Sequence, residues 1–286
     1  MKTKRRILFV LFVFMSVSLL PSAEKGGETE KTVVKFSDHV YRVTLDYGLR
    51  PNIGVSAGQD GILLVDTGHQ EVADELLDAV SQMKSGDVRY IINTHPHGDH
   101  AGGNEICGAN AVVIGHDSLG QMVTDGLLKR GDEGNNYYSL IFNGEEIRII
   151  PSPGAHSSED LITYFTKSGV VHFGDLLLTQ SFPAVGPRVK KYLEILDWGI
   201  VYFPQGTKFI GGHGKDYSLA DLKDYRTMLL GTIKIVQTGM KDGKSVEEMK
   251  KEDVLKDYGS WGVFLDFLDT DYWITSIYDS YKKKNP

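Results

Sequence analysis

Thr94-His95-Pro96-His97-Gly98-Asp99-His100 is the stretch that decides how this chain is read. It follows Val88 to Ile92, a run with the length and composition of a short buried strand. On extended backbone, residues i and i+2 point the same way about 6.5 Å apart. The imidazoles of His95 and His97 can therefore converge on one cation, with bonds of about 2.0 to 2.1 Å. Asp99 and His100 come where the chain bends toward a helix, are carried past that ion, and suit a second one. Composition alone would give an H-x-H-x-D-H run on the order of once per thousand such sequences, so the run is a specific signal for a metal centre.

A metal site needs more ligands than one run supplies, and three lie in suitable places. His156 sits in the glycine loop Pro153-Gly154-Ala155-His156 between two expected strands. Asp175 closes the strand Val170 to Phe173 in Phe173-Gly174-Asp175, and His213 follows Phe209-Ile210 in Gly211-Gly212-His213-Gly214. Glycine lets the backbone turn sharply there and presents the side chain at the rim of a sheet. A lone His or Asp in such a loop is ordinarily a turn or cap residue; beside the histidine run, the ligand reading prevails. His69 and His116 suit support of a ligand or an ordinary loop position equally well. His39 and His172 are read as structural, and Asp66 as fixing a loop near the ligands.

The 286 residues are 41% hydrophobic and 24% charged. Such a chain can bury enough apolar surface to offset the entropy of ordering, which excludes a largely disordered or fibrous protein. Cys107 is the sole cysteine. An intramolecular disulfide and a cysteine-based zinc finger are thereby excluded, so His and carboxylates must hold any metal. Cys107 itself reads as an inert buried thiol.

Residues 1–23 differ from the rest. Lys2, Lys4, Arg5 and Arg6 precede an uncharged apolar run from Ile7 to Leu20, followed by Pro21-Ser22-Ala23. This is the pattern of a secretory signal peptide, cut after Ala23. As a helix the run reaches about 21 Å, short of the ~30 Å hydrocarbon core, so a retained membrane anchor is disfavoured and a secreted or periplasmic location is expected. Cleavage removes four cations and no acid, leaving 27 Lys+Arg against 38 Asp+Glu, a net of about −11. That balance argues against nucleic acid or an anionic membrane as the main partner. Residues 24–32 read as a flexible lead-in, and residues 33–284, which show no internal linker, as a single domain.

Within it, Val33 to Asp46 reads as one or two strands, and Ile53 to Val55 with Ile62 to Val65 as a hairpin turning at Gln59-Asp60-Gly61. Val72, Leu76, Val80 and Met83 give one face of a helix, and Ser118 to Lys129 reads as another. Ala111 to Ile114, Glu145 to Ile150, Leu161 to Phe165 and Val170 to Phe173 read as strands. Ser218 with Asp221, and Ser245 with Glu248, are spaced as capping boxes opening two helices. Trp261 to Tyr281 is apolar and aromatic enough to pack onto the core. Two similar β-rich halves, packed sheet to sheet under outer helices, follow: an α+β architecture.

With Val65-Asp66-Thr67-Gly68-His69 at a strand end and the histidine run thirty residues on, the chain resembles the metallo-β-lactamase superfamily of hydrolases. The likeness extends from about Val33 through the helix after His213. It implies a four-layer αβ/βα sandwich. Position by position, it implies that His95, His97 and His156 bind one zinc, that Asp99, His100 and His213 bind the other, and that Asp175 bridges them. This ligand set resembles the hydroxyacylglutathione hydrolase (glyoxalase II) type more than most lactamases.

Two such ions bring the pKa of a shared water toward neutrality. The expected reaction is attack of a metal-bridging hydroxide on a carbonyl polarised by one zinc, with Asp99 orienting the nucleophile and taking its proton. That suits a small-molecule ester, thioester, lactone or lactam. Asp175 stands where one lactamase subclass carries cysteine. The histidine-rich, B3-like subclass fits His100 and His213, but Leu177 stands where a serine would meet the drug carboxylate. Leu178 to Gly186 lacks the Lys-x-Tyr pair expected to hold glutathione. Arg188, Lys190 and Lys191 suit either an anionic substrate or, more simply, a solvated basic loop. A non-catalytic metal-binding protein would need only one closed site. Iron or manganese could replace zinc in the same ligands, although nothing after His213 resembles the flavin domain of flavodiiron relatives.

Overall fold

The strand Gly61–Val65 shows why the chain forms layers. Leu63 and Val65 point to one side and Ile62 and Leu64 to the other, and all four are buried. A strand covered on both faces reads as an unbroken apolar run. The computed structural model describes residues 30–84, 86–133 and 135–282. The expected signal peptide and most of the expected lead-in lie outside them.

Six strands form the first sheet in sequence order: β1 (Lys31–Lys35), β2 (Val40–Leu45), β3 (Asn52–Gly58), β4 (Gly61–Val65), β5 (Val88–Ile92) and β6 (Val112–Ile114). Pairing is antiparallel through β4 and parallel from β4 to β6. The parallel steps need crossovers, supplied by α1 (Ala73–Ser81) and by the pair α2 (Gly98–Ala101) and α3 (Asn104–Cys107). After α4 (Leu119–Thr124) come the seven strands of the second sheet. They are β7 (Lys129–Arg130), β8 (Tyr138–Phe142), β9 (Glu145–Pro151), β10 (Leu161–Phe165), β11 (Val170–His172), β12 (Lys208–Ile210) and β13 (Tyr217–Ser218), lying side by side in that order. Helix α5 (Val189–Tyr202) precedes β12, and α6 (Leu219–Lys241), α7 (Val246–Lys251) and α8 (Thr270–Tyr281) complete the described chain.

Three apolar layers separate four structural ones. Leu76 and Val80 of α1 pack on Val43, Val55 and Leu64. Leu63, Val65 and Ile92 meet Ile147, Leu161 and Phe165 between the sheets. Tyr192 and Leu196 of α5, Leu222 and Leu229 of α6 and Trp273 of α8 cover Ile162, Val171 and Phe209. The protein is thus an α+β sandwich of helix, sheet, sheet and helix layers. Ser218 and Ser245 cap α6 and α7, each in a reciprocal box with Asp221 and Glu248. Among the described residues, no helix is long and apolar enough to cross a membrane.

Four local readings need correction. Lys31 and Thr32, assigned to the flexible lead-in, are the first rungs of β1, paired with Leu45 and Thr44; backbone pairing orders an edge strand whose side chains stay exposed. The helix expected over Ser118 to Lys129 stops at Thr124, because Gly126 takes φ +75° and the amides of Leu127 and Leu128 turn back to the Met122 carbonyl. Strand β8 went unread although Asn143-Gly144, at φ +51° and +79°, marks its hairpin with β9. The basic segment read as a loop opens α5, whose Val189, Tyr192, Ile195, Leu196 and Gly199 are buried at helical spacing.

Candidate metal centre

β5 delivers the histidine run to the rim of the sandwich. Beyond Ile92 the expected extended run is interrupted: the chain bends at Thr94 and His95, is extended again at His97 (φ −65°, ψ 151°), and enters α2 at Gly98. Asp99 and His100 therefore ride on the first helical turn, as their spacing suggested. From the other sheet, the β9–β10 loop brings His156, the turn after β11 brings Asp175, and the loop after β12 brings His213.

The seven side chains meet. His97 Nδ1 lies 3.0 Å from both His95 Nε2 and His156 Nε2. His100 Nε2 lies 3.3 Å from His213 Nε2, which is 3.3 Å from Asp99 Oδ2. Candidate ligand atoms lie within 4.8 Å of one another in two groups, His95, His97, His156 and Asp175 in one and Asp99, His100 and His213 in the other. Nitrogen ligands of one tetrahedral ion with bonds of about 2.0 to 2.1 Å would stand about 3.3 Å apart, close to these spacings. Asp175 joins the groups. Its Oδ1 is 3.1 Å from His100 Nε2 and 3.4 Å from His213 Nε2, while Oδ2 is 3.4 Å from His156 Nε2 and 3.8 Å from His95 Nε2.

The outer nitrogens are fixed by the fold. His156 Nδ1 is 2.9 Å from the Ala184 carbonyl and His213 Nδ1 is 2.8 Å from the Leu49 carbonyl. His100 Nδ1 is 2.8 Å from Asp66 Oδ2, and His95 Nδ1 is 3.0 Å from Thr94 Oγ1. The acceptors on His100, His156 and His213 hold a proton on Nδ1, which turns each Nε2 toward the centre. Asp66 also accepts from the Thr94 amide at 2.7 Å and the Thr94 hydroxyl at 2.8 Å, which bears out its reading as a loop-fixing residue.

A cation suits this cluster on three counts. Asp175 Oδ1 is buried and, despite its close nitrogens, has no hydrogen bond of acceptable geometry. Imidazole nitrogens packed this closely repel unless a proton or metal lies between them, and imidazole with carboxylate is a donor set that divalent ions accept. Gly212 leaves the needed space, since a Cβ there would stand 1.9 Å from Asp175 Oδ1. His97 is exposed and Asp99 half-buried, whereas His95, His100 and His213 are buried, so the centre opens on the His97 and Asp99 side.

Protonation is asymmetric. Burial, helped by the charge of His100, pushes His95 down to about 3, and burial beside His156 lowers His97. Burial would lower His100 too, but the Asp175 and Asp66 carboxylates raise it well above its usual range. His213 is likewise raised against its burial by Asp175 and Asp99. Burial would raise Asp99, yet the His213 hydrogen bond and the His100 charge bring it down to about 2.

The family model described as Metallo-beta-lactamase superfamily matches residues 47–230, which carry all seven side chains. The chain belongs to the metallo-β-lactamase superfamily. Solved structures with a similar fold include the inverting sec-alkylsulfatase Pisa1 from Pseudomonas sp. Its TM-score is 0.64 at 16% identity, over 88% of this chain and 50% of that one. The metallo-beta-lactamase from Pontibacter korlensis has a TM-score of 0.55 at 17% identity, over 69% and 98%. The TMB-1 structure has a TM-score of 0.54 at 16% identity, over 69% and 95%. This chain spans half the length of the alkylsulfatase.

The other histidines stay outside both groups. His172 is buried and bound to the Asn52 carbonyl and the Gly174 amide, and His39 approaches the Ala57 carbonyl at 3.3 Å. His116 pairs with Asp117, and His69 stacks edge-on against Tyr47. Cys107 is buried, and burial raises its thiol to about 12, consistent with an inert group. Arg188, Lys190 and Lys191 are engaged within the chain. They meet the His156 and Val185 carbonyls, the Tyr281 ring and Glu194, respectively. Sequence reading missed Asp160, which accepts from the His156 and Ser157 amides and holds the ligand loop; the signal was a Ser-x-x-Asp spacing just past His156.

Proposed function

We propose that this chain is a dinuclear zinc hydrolase that cleaves an ester, thioester or lactone of a small molecule. The observation that carries the reading is the division of Asp175, whose Oδ1 faces His100 and His213 while Oδ2 faces His156 and His95. One carboxylate thereby serves two ligand groups. His95, His97 and His156 would hold one ion, Asp99, His100 and His213 the other, and Asp175 both. Zinc suits these donors, and iron or manganese is the alternative that metal analysis decides. Such a pair of ions supplies Lewis acidity for a carbonyl and a water acidic enough to react near neutral pH.

The chain's own residues supply the rest. Asp99 is ionised at neutral pH and sits at the open rim, so it can orient an attacking water and accept its proton. The carbonyls of Ala184 and Leu49 and the Asp66 carboxylate stop His156, His213 and His100 from turning away. Leu177, fully buried, offers no hydroxyl to a substrate carboxylate, and Arg188, Lys190 and Lys191 are engaged within the chain. Both features favour a neutral acyl group over an anionic lactam. The pattern of residues 1–23 supports action outside the cytoplasm.

The test is turnover of 4-nitrophenyl acetate, an acyl thioester, a lactone, nitrocefin, a phosphodiester and an alkyl sulfate, each with and without chelator, alongside metal analysis. Two equivalents of zinc and chelator-sensitive cleavage of an acyl substrate are expected, with both lost in His97→Ala. Turnover that survives metal removal, or cleavage confined to the lactam, phosphate or sulfate substrates, overturns the reading.

A further inference from the structure

We infer that the groove between the Tyr47–Arg50 turn and the 263–268 loop receives, along its apolar side chains, the hydrocarbon chain of the substrate's acyl group, so that medium-chain acyl groups are preferred to acetyl. The inference rests on the acyl-hydrolase reading above. The groove encloses about 460 Å³, within the usual range of ligand pockets, and is walled by Leu49, Val263, Phe264, Leu265 and Phe267.

Its position ties it to both ligand groups. Leu49, one of its walls, carries the carbonyl that holds His213 Nδ1. Behind Leu265, an apolar cluster joins Leu268 to Leu178, which is bridged to His213, and to Ala184, whose carbonyl holds His156 Nδ1. The 263–268 loop thus leans on the support of one histidine from each group.

Its exposure needs an explanation. Nine large hydrophobic residues are exposed among those described, and three of them, Leu49, Val263 and Phe267, converge here. Scattered exposure is ordinary, whereas convergence against the turn that supports a metal-ligating histidine marks a binding surface. Nor does the loop need these side chains as anchors. Leu265 and Leu268 point inward and close a turn through a 2.8 Å hydrogen bond, and Gly262, at the end of a short 3-10 helix, lets the chain press against Asp269. Val263 and Phe267 are held facing outward by a loop already anchored without them.

The groove's charges indicate what it takes. Arg50 is paired with Asp46 at 2.6 Å, and Asp266 is the remaining charged wall residue. No unpaired cation is present to hold an anionic headgroup or an anionic bilayer, so the occupant is an uncharged chain. Each methylene moved from water into such a groove is worth at most about fourfold in affinity.

Acetate, hexanoate and octanoate, as product mimics, are titrated calorimetrically into the metal-loaded protein. Octanoate is expected to bind at least tenfold more tightly than acetate. Val263→Ser/Phe267→Ser should abolish most of that difference with its thermal midpoint retained, whereas Phe267→Leu should keep it. Equal affinities in the wild type, or a preference that the double variant retains, overturn the inference. So does a concentration-dependent dimer that the double variant dissociates and octanoate does not, since the occupant would then be a second copy. Chelator-sensitive hydrolysis of 4-nitrophenyl acetate is scored separately: its absence strikes the acyl-hydrolase reading, and its presence without chain-length preference strikes only the groove.

Discussion

His100 and Asp66 have no solvent exposure and meet through Nδ1 and Oδ2 at 2.8 Å, with no water to compete. Burial would raise the Asp66 pKa, but the His100 charge and hydrogen bond more than reverse it, so the carboxylate stays ionised. Asp66 stands at φ +67° at the end of β4, a conformation that Asp and Asn tolerate better than most residues. It therefore binds the first sheet's rim to the helical turn carrying Asp99 and His100.

Asp66→Asn keeps size and backbone preference but sets an amide donor or a weaker acceptor against the His100 N–H. The expected result is a 10- to 100-fold loss of affinity for one of two metal equivalents, the usual effect of removing a partner behind a histidine ligand. Chelator competition in a folded variant measures it. Unchanged affinity for both equivalents would remove Asp66 from the centre's support.

Metal uptake should depend on pH differently in the two groups. His95, at about 3, is neutral in the metal-free protein at pH 6 to 8, and His97 is lowered too, so these two give up fewer protons to a metal than ordinary histidines. His100 and His213 are raised, so each retains a proton that a cation must displace. A raised histidine binds metal more weakly as pH falls below its pKa. The equivalent held by His95 and His97 is therefore expected to depend less on pH than the other, which binds more tightly as pH rises and releases more protons. Calorimetry in buffers of different ionisation enthalpy reads the proton count directly.

The legible part of the site was what short-range spacing encodes. His95 and His97 two apart just past a strand, followed by Asp99 and His100 on a helical turn, were legible from spacing alone, although the backbone bends at Thr94 and His95 instead of running on extended. His156, Asp175 and His213 carry no local mark of their partners, and it was their place at strand ends that singled them out. The layers were legible because β4 reads as an unbroken apolar run and β10 as one interrupted only by Thr163. Helix α5 and strand β8 were missed, although Tyr192, Ile195 and Gly199 in one, and Asn143-Gly144 beside the other, carried ordinary signals. Support through backbone carbonyls, from Leu49 to His213 and from Ala184 to His156, could not be read, because every residue has a carbonyl and only the fold chooses which one faces a ligand.

Gly212 is the sharpest steric requirement of the centre. Its amide donates to the carbonyls of Gly174 and Leu177 at 2.7 and 3.0 Å, which presses its Cα against Asp175. Gly212→Ala must push the Asp175 carboxylate out of its position between the two groups. A displacement of about 1 Å at a reacting centre costs on the order of 100-fold in rate, so turnover should fall at least that far, with the second metal equivalent weakened. Normal metal content and rate in the alanine variant would show that Asp175 can move without consequence.

Asp160 gives a test confined to the other ligand group. Its carboxylate accepts from the His156 amide at 3.0 Å, the Ser157 amide at 2.8 Å and the Ser157 hydroxyl at 2.6 Å, all buried. Arg188 meanwhile donates to the His156 carbonyl and Ala184 accepts from its ring, so the loop is held from three directions. Asp160→Ala leaves the amides and hydroxyl without an acceptor, a loss of about 1 to 3 kcal/mol that a lowered urea midpoint would show. Because His156 belongs with His95 and His97, the damage should fall on the metal equivalent whose binding depends less on pH, opposite to Asp66→Asn. If both variants weaken the same equivalent, the ligands are not divided between two ions as proposed.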